Sequence, residues 1–276
     1  MLLRERVSNR LLGKTYSTHI GGKSVKLLTL ARDLGRRKAR ERDSLFVAEG
    51  IRAVEELVRS RLVIRGALLA PQLGETARGV SLAAALATRA REVVQVGDRE
   101  FASAASTESP QGVLAIGEMP SGTLTGIEPG PTVRLLILDG VQDPGNVGTI
   151  LRTAAGLGVA ATLSLPGTVD LWNAKVVRSA MGAQFHHLTF HTTWEELDPF
   201  LIGHGIVVWG ADGNGTHPDA STPPNRLALA LGNEGGGLRD DTRRRCAQLV
   251  GLPVTDAVES LNVAVAAGIL LYALRP

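Results

Sequence analysis

The sequence predicts a two-domain α/β protein, with a smaller N-terminal α/β domain and a C-terminal domain built on a parallel sheet. Apolar runs with the pattern of strands alternate along the chain with runs of helical periodicity. Between two such series, residues 120–132 (PSGTLTGIEPGPT) hold three prolines and three glycines, which is typical of a linker. The chain has 276 residues, 44% of them hydrophobic, which is enough for two folded cores and too apolar for general disorder.

The N-terminal series comprises a tail and one domain. We interpret residues 1–22, which are polar, basic and glycine-ended, as a flexible tail. The domain then covers residues 23–119 and begins with one helix over residues 24–42. Its further strands are predicted at residues 45–48, 63–69, 92–96 and 112–116, and its further helices at residues 50–59, 81–91 and 101–105.

The C-terminal series covers residues 133–276. Its strands are predicted at residues 134–138, 161–165, 185–189, 206–211, 226–231 and 249–252. Its helices are predicted at residues 146–156, 175–182, 194–204, 240–247 and 261–274. The longest apolar run, residues 263–274, is shorter than the roughly 20 residues of a membrane span, so we expect a core helix.

Cysteine content and the N-terminal sequence indicate a cytoplasmic protein. The single cysteine, Cys246, excludes an internal disulfide framework and a cysteine-cluster metal site. The N-terminus has no apolar core of a secretory signal. His186 and His187 are adjacent, on opposite faces of a predicted strand, and lack the spacing of a zinc site. We therefore expect no metal.

Positive charge is concentrated at the front of the chain. Residues 1–65 hold 16 Lys and Arg against 7 Asp and Glu, a net charge of +9, although the whole chain carries only +3. Such an excess favours a polyanionic partner, and a solvated helix face accounts for it equally well. The densest cluster, and the candidate binding surface, consists of Arg36, Arg37, Lys38 and Arg40.

The first segment of chemical interest is residues 139–152 (DGVQDPGNVGTILR), where a buried strand passes through a turn into a helix. We expect Asn146 to cap this helix, since asparagine side chains satisfy free N–H groups in a first turn. Arg152 lies less than two turns further on and can reach back to the strand's carboxyl end, where open α/β sheets bind ligands. A capped helix with a surface arginine is the alternative interpretation.

A glycine-rich loop and a polar helix start form the second and third segments. Residues 231–238 (LGNEGGGL) hold four glycines around Glu234, more than a hairpin turn needs, which predicts a loop shaped against a ligand. Residues 252–263 (LPVTDAVESLNV) lead into the last helix. There Ser260 and Asn262 are suited to capping or to ligand binding, and simple capping accounts for one of them.

Together, in this order and spacing, the three segments closely resemble the motifs of the SpoU/TrmH branch of the SPOUT methyltransferases. Residues 175–183 (KVVRSAMGA) are similar to the family's stretch between its first two motifs, and the likeness covers residues 134–274 with few gaps. More weakly, residues 40–55 and 107–115 resemble the family's N-terminal substrate-binding domain, which is similar to a ribosomal-protein fold.

The resemblance implies methylation of a ribose 2′-hydroxyl in structured RNA, with S-adenosylmethionine as cofactor and no metal. Ribosomal RNA is the favoured substrate and tRNA the runner-up, and a non-catalytic RNA-binding assembly factor is the alternative from another class. The resemblance also implies a homodimer and a SPOUT domain with a trefoil knot, which no strand pattern predicts. A housekeeping and an antibiotic-resistance role both stay open.

Site residues are carried over by position in the motifs. The implied cofactor contacts and loop-shaping residues are Gly232, Asn233, Gly237, Leu252 and Leu261. The implied catalytic set is Asn146, Arg152, Glu234, Ser260 and Asn262. Arg152 would lie at the target ribose, either as the general base described for the family or as a group that grips the adjacent phosphate and orients the hydroxyl. We prefer the second role, because a guanidinium stays protonated up to about pH 12.

Three positions depart from the family pattern. Val254 and Asp256 replace the usual Met and Gly in the turn of the third motif, and Ala264 replaces a common Ser. Asp256 adds a charge beside the implied cofactor loop. The catalytic set persists in full, so we expect an active enzyme.

Overall fold

The computed structural model describes residues 22–218 and 222–275. This chain forms two compact units, divided after Met119. The predicted tail, residues 1–22, lies outside the described residues except for Gly22, which begins the first helix.

The N-terminal unit is a four-stranded mixed sheet with helices. Its strands are β1 (Leu45–Glu49), β2 (Ile64–Leu69), β3 (Val93–Gln95) and β4 (Val113–Glu118). Its helices are α1 (Gly22–Asp33), α2 (Arg37–Asp43), α3 (Ile51–Arg59), α4 (Ala77–Arg89) and α5 (Asp98–Ala102). The strand order is β1-β4-β2-β3, with β4 antiparallel to both neighbours and β2 parallel to β3. The buried apolar side of α1 joins the β-strands in one core.

The prediction of one helix over residues 24–42 is wrong, because α1 and α2 are separated at Gly35. Glycine is a weak helix former, and the N–H of Gly35 closes a tighter turn before Arg36 becomes extended (φ −94°, ψ 133°). The break buries Leu34 and turns Arg40 inward, where its guanidinium donates to the carbonyl oxygens of Leu34 (2.7 Å) and Gly35 (3.0 Å).

The C-terminal unit is a six-stranded parallel sheet covered by helices. Its strands are β5 (Val133–Asp139), β6 (Ala161–Ser164), β7 (Leu188–His191), β8 (Val207–Thr216), β9 (Arg226–Gly232) and β10 (Gln248–Val250). Its helices are α6 (Pro144–Gly156), α7 (Ala174–Ser179), α8 (Trp194–Gly203), α9 (Asp240–Arg245) and α10 (Val263–Ala273). The strand order is β10-β8-β9-β5-β6-β7, and every neighbouring pair is parallel. All residues of β5 are buried. The predicted α/β fold class with a parallel C-terminal sheet is confirmed.

Three element boundaries differ from the prediction. β7 begins only at Leu188, so His187 precedes the strand; it is buried, bonds to the Thr162 hydroxyl (2.7 Å), and burial lowers its pKa to about 4. β8 extends beyond the predicted end at residue 211 and includes Asp212. β10 ends at Val250 and α10 begins at Val263, which leaves a long irregular segment between them.

Helix α10 is apolar on all sides. Ala267, Leu270 and Leu271 are buried, whereas Ile269 and Tyr272 are about half exposed. Within residues 22–218 and 222–275, no helix is long and apolar enough to cross a membrane.

Candidate active site

Three loops meet at the carboxyl edge of the parallel sheet. They follow β5, β9 and β10, and they contain the three segments that the sequence singles out. β5 and β9 are neighbours, with Asp139 opposite Gly232 in register. Because parallel strands end at one edge, loops that are distant in sequence become adjacent there.

A chain of side-chain hydrogen bonds connects these three loops. The Asn146 amide nitrogen donates to the Glu234 carboxylate (3.2 Å), and the Asn262 amide nitrogen donates to the Asn146 amide oxygen (2.9 Å). The Asn262 oxygen in turn accepts the backbone N–H groups of Ala264 (2.9 Å) and Val265 (3.3 Å), which makes Asn262 the N-cap of α10. Three of the five predicted catalytic residues therefore form one connected unit.

Asn146 is not the cap of α6, contrary to the prediction. Asp143 is the cap and accepts the Asn146 backbone N–H at 2.8 Å, while Pro144 occupies the first turn, where its missing N–H costs nothing. The Asn146 side chain is therefore available to connect the other two loops.

The Glu234 carboxylate is surrounded by donors. Besides Asn146, it accepts the backbone N–H groups of Gln142 (3.2 Å) and Asp143 (3.1 Å) and the Asn233 amide (3.4 Å). Burial alone would raise the pKa of Glu234, but hydrogen bonds from its own backbone, from Asn146 and from the β5 loop outweigh this and lower the pKa below its ordinary value. Glu234 is thus a firmly ionised group that organises the loop, and a weak base.

The glycine-rich loop holds its own shape. Asn233 and Gly237 exchange backbone hydrogen bonds of 2.9 Å, and the Asn233 side-chain oxygen accepts the N–H groups of Gly235 (3.0 Å) and Gly236 (2.9 Å). A Cβ at Gly232 would lie 2.1 Å from the carbonyl carbon of Gly237, so no larger residue fits there. The prediction that Asn233 shapes the loop agrees with this geometry, since its side chain bonds to the loop itself.

The loops enclose a cavity of about 400 Å³, which is within the usual range for small-ligand sites. All five residues with an implied cofactor role line it, and they are Gly232, Asn233, Gly237, Leu252 and Leu261. Three carboxylates also line it, those of Asp212, Glu234 and Glu259, whereas no lysine or arginine of the described chain does. Such a lining disfavours a phosphate-bearing cofactor and suits one that carries positive charge.

The remaining predicted catalytic residues differ in position. Ser260 lines the cavity. Arg152 is exposed on α6, does not line the cavity, and donates to the Met181 sulfur at 3.0 Å. Of the three departures from the family pattern, Val254 lines the cavity, Asp256 is exposed and Ala264 is buried in α10.

The basic cluster on α2 is less available than its sequence suggests. Arg36 pairs with Asp33 and Arg37 with Glu41, both at 2.6 Å. Lys38 is exposed, whereas Arg40 is only 3% exposed and bonds to main-chain carbonyls. Arg40 is therefore a structural residue, and its assignment to a binding surface is corrected on this ground.

Sequence reasoning missed an ion pair that fixes the glycine-rich loop. The Asp139 carboxylate is fully buried, bonds to the Arg239 guanidinium, and accepts the Arg239 backbone N–H at 2.9 Å. Since Gly232 pairs with Asp139 in the ladder, both ends of the loop are tied to one residue. The available signal was an acidic residue ending a buried strand, where an unpaired charge would be costly.

Fold and site together define an α/β protein with a small cavity, lined by carboxylates and without lysine or arginine among the described residues, beside a polar site. The sequence model of the SpoU rRNA methylase family matches residues 134–272, and that of the MRM3-like substrate binding domain matches residues 25–115. The chain belongs to the SpoU rRNA methylase family, and the predicted SpoU/TrmH membership is confirmed.

One relative matches most of this chain, and another matches half of it. The 23S rRNA (guanosine(2553)-2′-O)-methyltransferase RlmP of Bacillus subtilis is 32% identical over 240 residues, which are 87% of this chain and 92% of that protein. The 23S rRNA (guanosine-2′-O-)-methyltransferase RlmB of Escherichia coli K12 is 39% identical over 140 residues, 50% of this chain and 58% of that protein.

Solved structures of SpoU and rRNA methyltransferases are similar to this one. The SpoU methyltransferase AviRb of Streptomyces viridochromogenes, in complex with AdoMet, has a TM-score of 0.82 at 25% identity and covers 90% of this chain and 96% of its own. An AdoMet-bound rRNA methyltransferase of Sinorhizobium meliloti has a TM-score of 0.79 at 27% identity, with 90% and 94% covered.

Proposed function

We propose that this protein transfers the methyl group of S-adenosylmethionine to a ribose 2′-hydroxyl of large-subunit ribosomal RNA. The observation that carries the proposal is the hydrogen-bonded chain Glu234–Asn146–Asn262, which joins the three motif loops beside the cavity. Relatives named for 23S rRNA 2′-O-methylation, one of them matched over 87% of this chain, support the choice of substrate.

The cavity fits the cofactor in its chemistry. Leu252, Leu261 and Leu270 offer apolar surface for an adenine, and the loop backbones at Gly232 and Leu252 offer hydrogen-bonding groups. The acidic rim suits a cofactor whose sulfonium and ammonium groups are positive. When bound, S-adenosylmethionine supplies a methyl group activated by its sulfonium sulfur.

The chain's own residues would orient the acceptor. Asn146 and Asn262 are fixed to each other and to α10, so their amides form a rigid polar surface. Glu234 has a lowered pKa and its oxygens are occupied, so it holds Asn146 rather than removing a proton. Arg152 would grip a phosphate next to the target ribose, and the hydroxyl proton would be lost late in the attack.

We further propose that the protein is a homodimer that uses the outer side of α10. Val265, Ile269 and Tyr272 are 52%, 45% and 58% exposed, and a groove between this side and α6 is almost wholly apolar. A second copy is the occupant expected from the family resemblance, and contiguous apolar surface of this kind marks interaction sites.

Light scattering should show a dimer that Ile269→Asp dissociates. The matched control is Ile202→Asp, because Ile202 is a lone apolar residue, 80% exposed, on α8. A monomeric wild-type protein would contradict the proposal.

RNA docking and cellular location complete the proposal. The N-terminal unit, which matches a substrate-binding domain, would contact RNA phosphates through Lys38. Arg36 and Arg37 would also contact phosphates after their ion pairs with Asp33 and Glu41 have broken. The trefoil knot, the domain limits near residues 119 and 133, and a cytoplasmic location are proposed on the family resemblance and on the single cysteine.

The decisive experiment is methyl transfer with defined RNAs. The purified protein is incubated with tritium-labelled S-adenosylmethionine and with large-subunit RNA, small-subunit RNA or tRNA from cells that lack this protein. We expect label in large-subunit RNA at one position whose phosphodiester resists alkali, because a 2′-O-methyl group blocks internal attack. Label in tRNA alone would refute the substrate, and label in a base would refute the reaction.

An arginine variant tests the role of Arg152. Arg152→Lys keeps the charge and loses the planar fork of donors, so we expect a marked loss of turnover. If Arg152→Lys kept wild-type turnover and RNA affinity, a dedicated arginine role would be wrong. Cofactor affinity measured by calorimetry should stay unchanged, since Arg152 does not line the cavity.

A further inference from the structure

The environment of Arg152 contains an unusual residue. Met181 lies at φ 50°, in the left-handed region, which only one other non-glycine residue of the described chain, Ser44, shares. Side chains with a Cβ seldom occupy this region, and such strain gathers at functional positions. Met181 is also 39% exposed, and its sulfur accepts a hydrogen bond from Arg152 Nη1 at 3.0 Å.

A close approach of two helices builds this contact. A Cβ at Gly148 of α6 would lie 2.5 Å from the Ser179 Cβ and 2.7 Å from the Val176 carbonyl oxygen of α7, so glycine permits the two helices to meet there. Arg152 lies one turn after Gly148 on the same side of α6. Met181 lies two residues after the end of α7, and the positive φ of Met181 turns it toward that arginine.

The chemistry of its partner distinguishes Arg152 from the ion-paired arginines of the C-terminal unit. Arg239 pairs with Asp139, Arg245 with Asp198 and Asp241, so these guanidinium charges are offset by carboxylates. In the part of the chain that the structure describes, Arg152 has no carboxylate within ion-pair distance, and Met181 is its hydrogen-bonding partner. A thioether accepts a hydrogen bond weakly and carries no charge. It therefore limits the movement of the arginine without neutralising it.

We propose that Met181 is a positioning residue for Arg152, which holds the guanidinium toward the RNA and leaves its charge available for a phosphate. The inference rests on the proposed function, in which Arg152 faces the substrate. The role requires a neutral hydrogen-bond acceptor at position 181. An apolar side chain there would not hold Arg152, and an acidic side chain would neutralise its charge.

The contact itself is testable without any activity. The chain has three methionines, Met1, Met119 and Met181, so ¹³C-methyl labelling of methionine gives three resonances. Met181→Leu assigns one of them by its loss. We expect Arg152→Ala to shift the Met181 resonance and to leave that of Met119 in place. An unchanged Met181 resonance would overturn the inference, whether or not the protein proves to be a methyltransferase.

The role is tested by three substitutions at one position, each checked for an unchanged melting temperature. Met181→Leu keeps the volume and removes the acceptor, so turnover should fall roughly two- to threefold, the effect expected at the lower end of the range for hydrogen bonds. Met181→Gln restores a neutral acceptor and should recover most of that loss. Met181→Glu keeps an acceptor and neutralises Arg152, so the logarithmic salt dependence of RNA binding should flatten by roughly 0.7–0.9, the value of one phosphate contact.

A double-variant comparison separates positioning from packing. In an Arg152→Ala background, Met181→Leu should cause no further loss of turnover, and Met119→Leu should be neutral in both backgrounds. Equal losses from Met181→Leu with and without Arg152 would overturn the inference, as would full activity of Met181→Leu. Absence of methyl transfer by the wild-type protein would instead refute the proposed function, and the NMR result would then decide the contact alone.

Discussion

The carboxylate of Glu234 provides the sharpest test of how the site is organised. It accepts hydrogen bonds from Gln142, Asp143, Asn146 and Asn233 at 3.1–3.4 Å. Glu234→Gln keeps the shape, but its amide nitrogen faces N–H groups that need an acceptor. About two hydrogen bonds are lost at a partly exposed site, which corresponds to about 1–2 kcal/mol.

The melting temperature reports this loss. For a unit of this size, about 1–2 kcal/mol corresponds to a decrease of roughly 3–6 °C at pH 7. Glu128→Gln is the matched control, because Glu128 is an exposed glutamate of the same unit outside the site. Turnover of Glu234→Gln should also fall, since Asn146 loses its anchor, whereas that of the control should not.

The pH dependence of the effect follows from the lowered pKa of Glu234. A carboxylate with a folded pKa below its ordinary value of 4.5 stabilises the folded state fully above that value, and the stabilisation is lost as the pH falls through the folded pKa. The difference in melting temperature between wild type and Glu234→Gln should therefore be constant near neutral pH and shrink in acid below about pH 4.5. A difference that grew in acid, or a variant as stable as Glu128→Gln at pH 7, would refute the assigned role.

Three further predictions concern the supports of the site and of the N-terminal unit. Asn262→Ala removes the N-cap of α10 and should lower the free energy of unfolding in denaturant by about 1 kcal/mol. It should also abolish most of the turnover. Asn173→Ala removes the N-cap of α7 and should lower stability by a similar amount with a smaller loss of activity. Arg239→Gln should weaken S-adenosylmethionine binding in calorimetry, because the glycine-rich loop loses one of its ties, and Arg244→Gln should bind the cofactor like wild type, because Arg244 pairs with Asp241 outside the cavity lining. Arg40→Ala should lower the melting temperature, because the carbonyl oxygens of Leu34 and Gly35 lose their donor. An unchanged melting temperature would contradict the structural role of Arg40 and favour its place in the predicted RNA-binding surface.

The fold class could be predicted from the periodicity of strands and helices, which reflects short-range constraints. The residues that line the cavity were implied by the resemblance of the motifs to a known family, and local sequence alone did not assign them. The connection between Asn146 and Asn262 could not, since the two residues are 116 positions apart and meet only through the sheet. Capping showed a related limit: Asp143 and Asn146 are both good caps, and the choice between them depends on what the second side chain contacts across the site.

Burial of charge was the other limit of the sequence. The pattern of residues 24–42 fits a continuous helix, and in such a helix Arg40 would lie on the polar side. A single break at Gly35 changes the direction of the following turns and buries that arginine. The structural role of Asp139 could not be predicted either. Its only charged partner among the described residues, Arg239, lies 100 positions further along the chain.

These placements alter where RNA phosphates would be bound most strongly. Arg36 and Arg37 lie in the most basic stretch of the sequence. Each is paired with a carboxylate three or four residues away, and a phosphate must compete with that carboxylate. Exposed ion pairs of this kind are weak, at about 0.2–1 kcal/mol. Competition from the carboxylates therefore lowers the contribution of Arg36 and Arg37 to phosphate binding without abolishing it. Arg152 has a neutral partner and no such competitor in the described chain. On the proposed function, the charge-rich front would contribute docking that depends strongly on salt, and Arg152 of the C-terminal unit would bind the phosphate next to the target ribose.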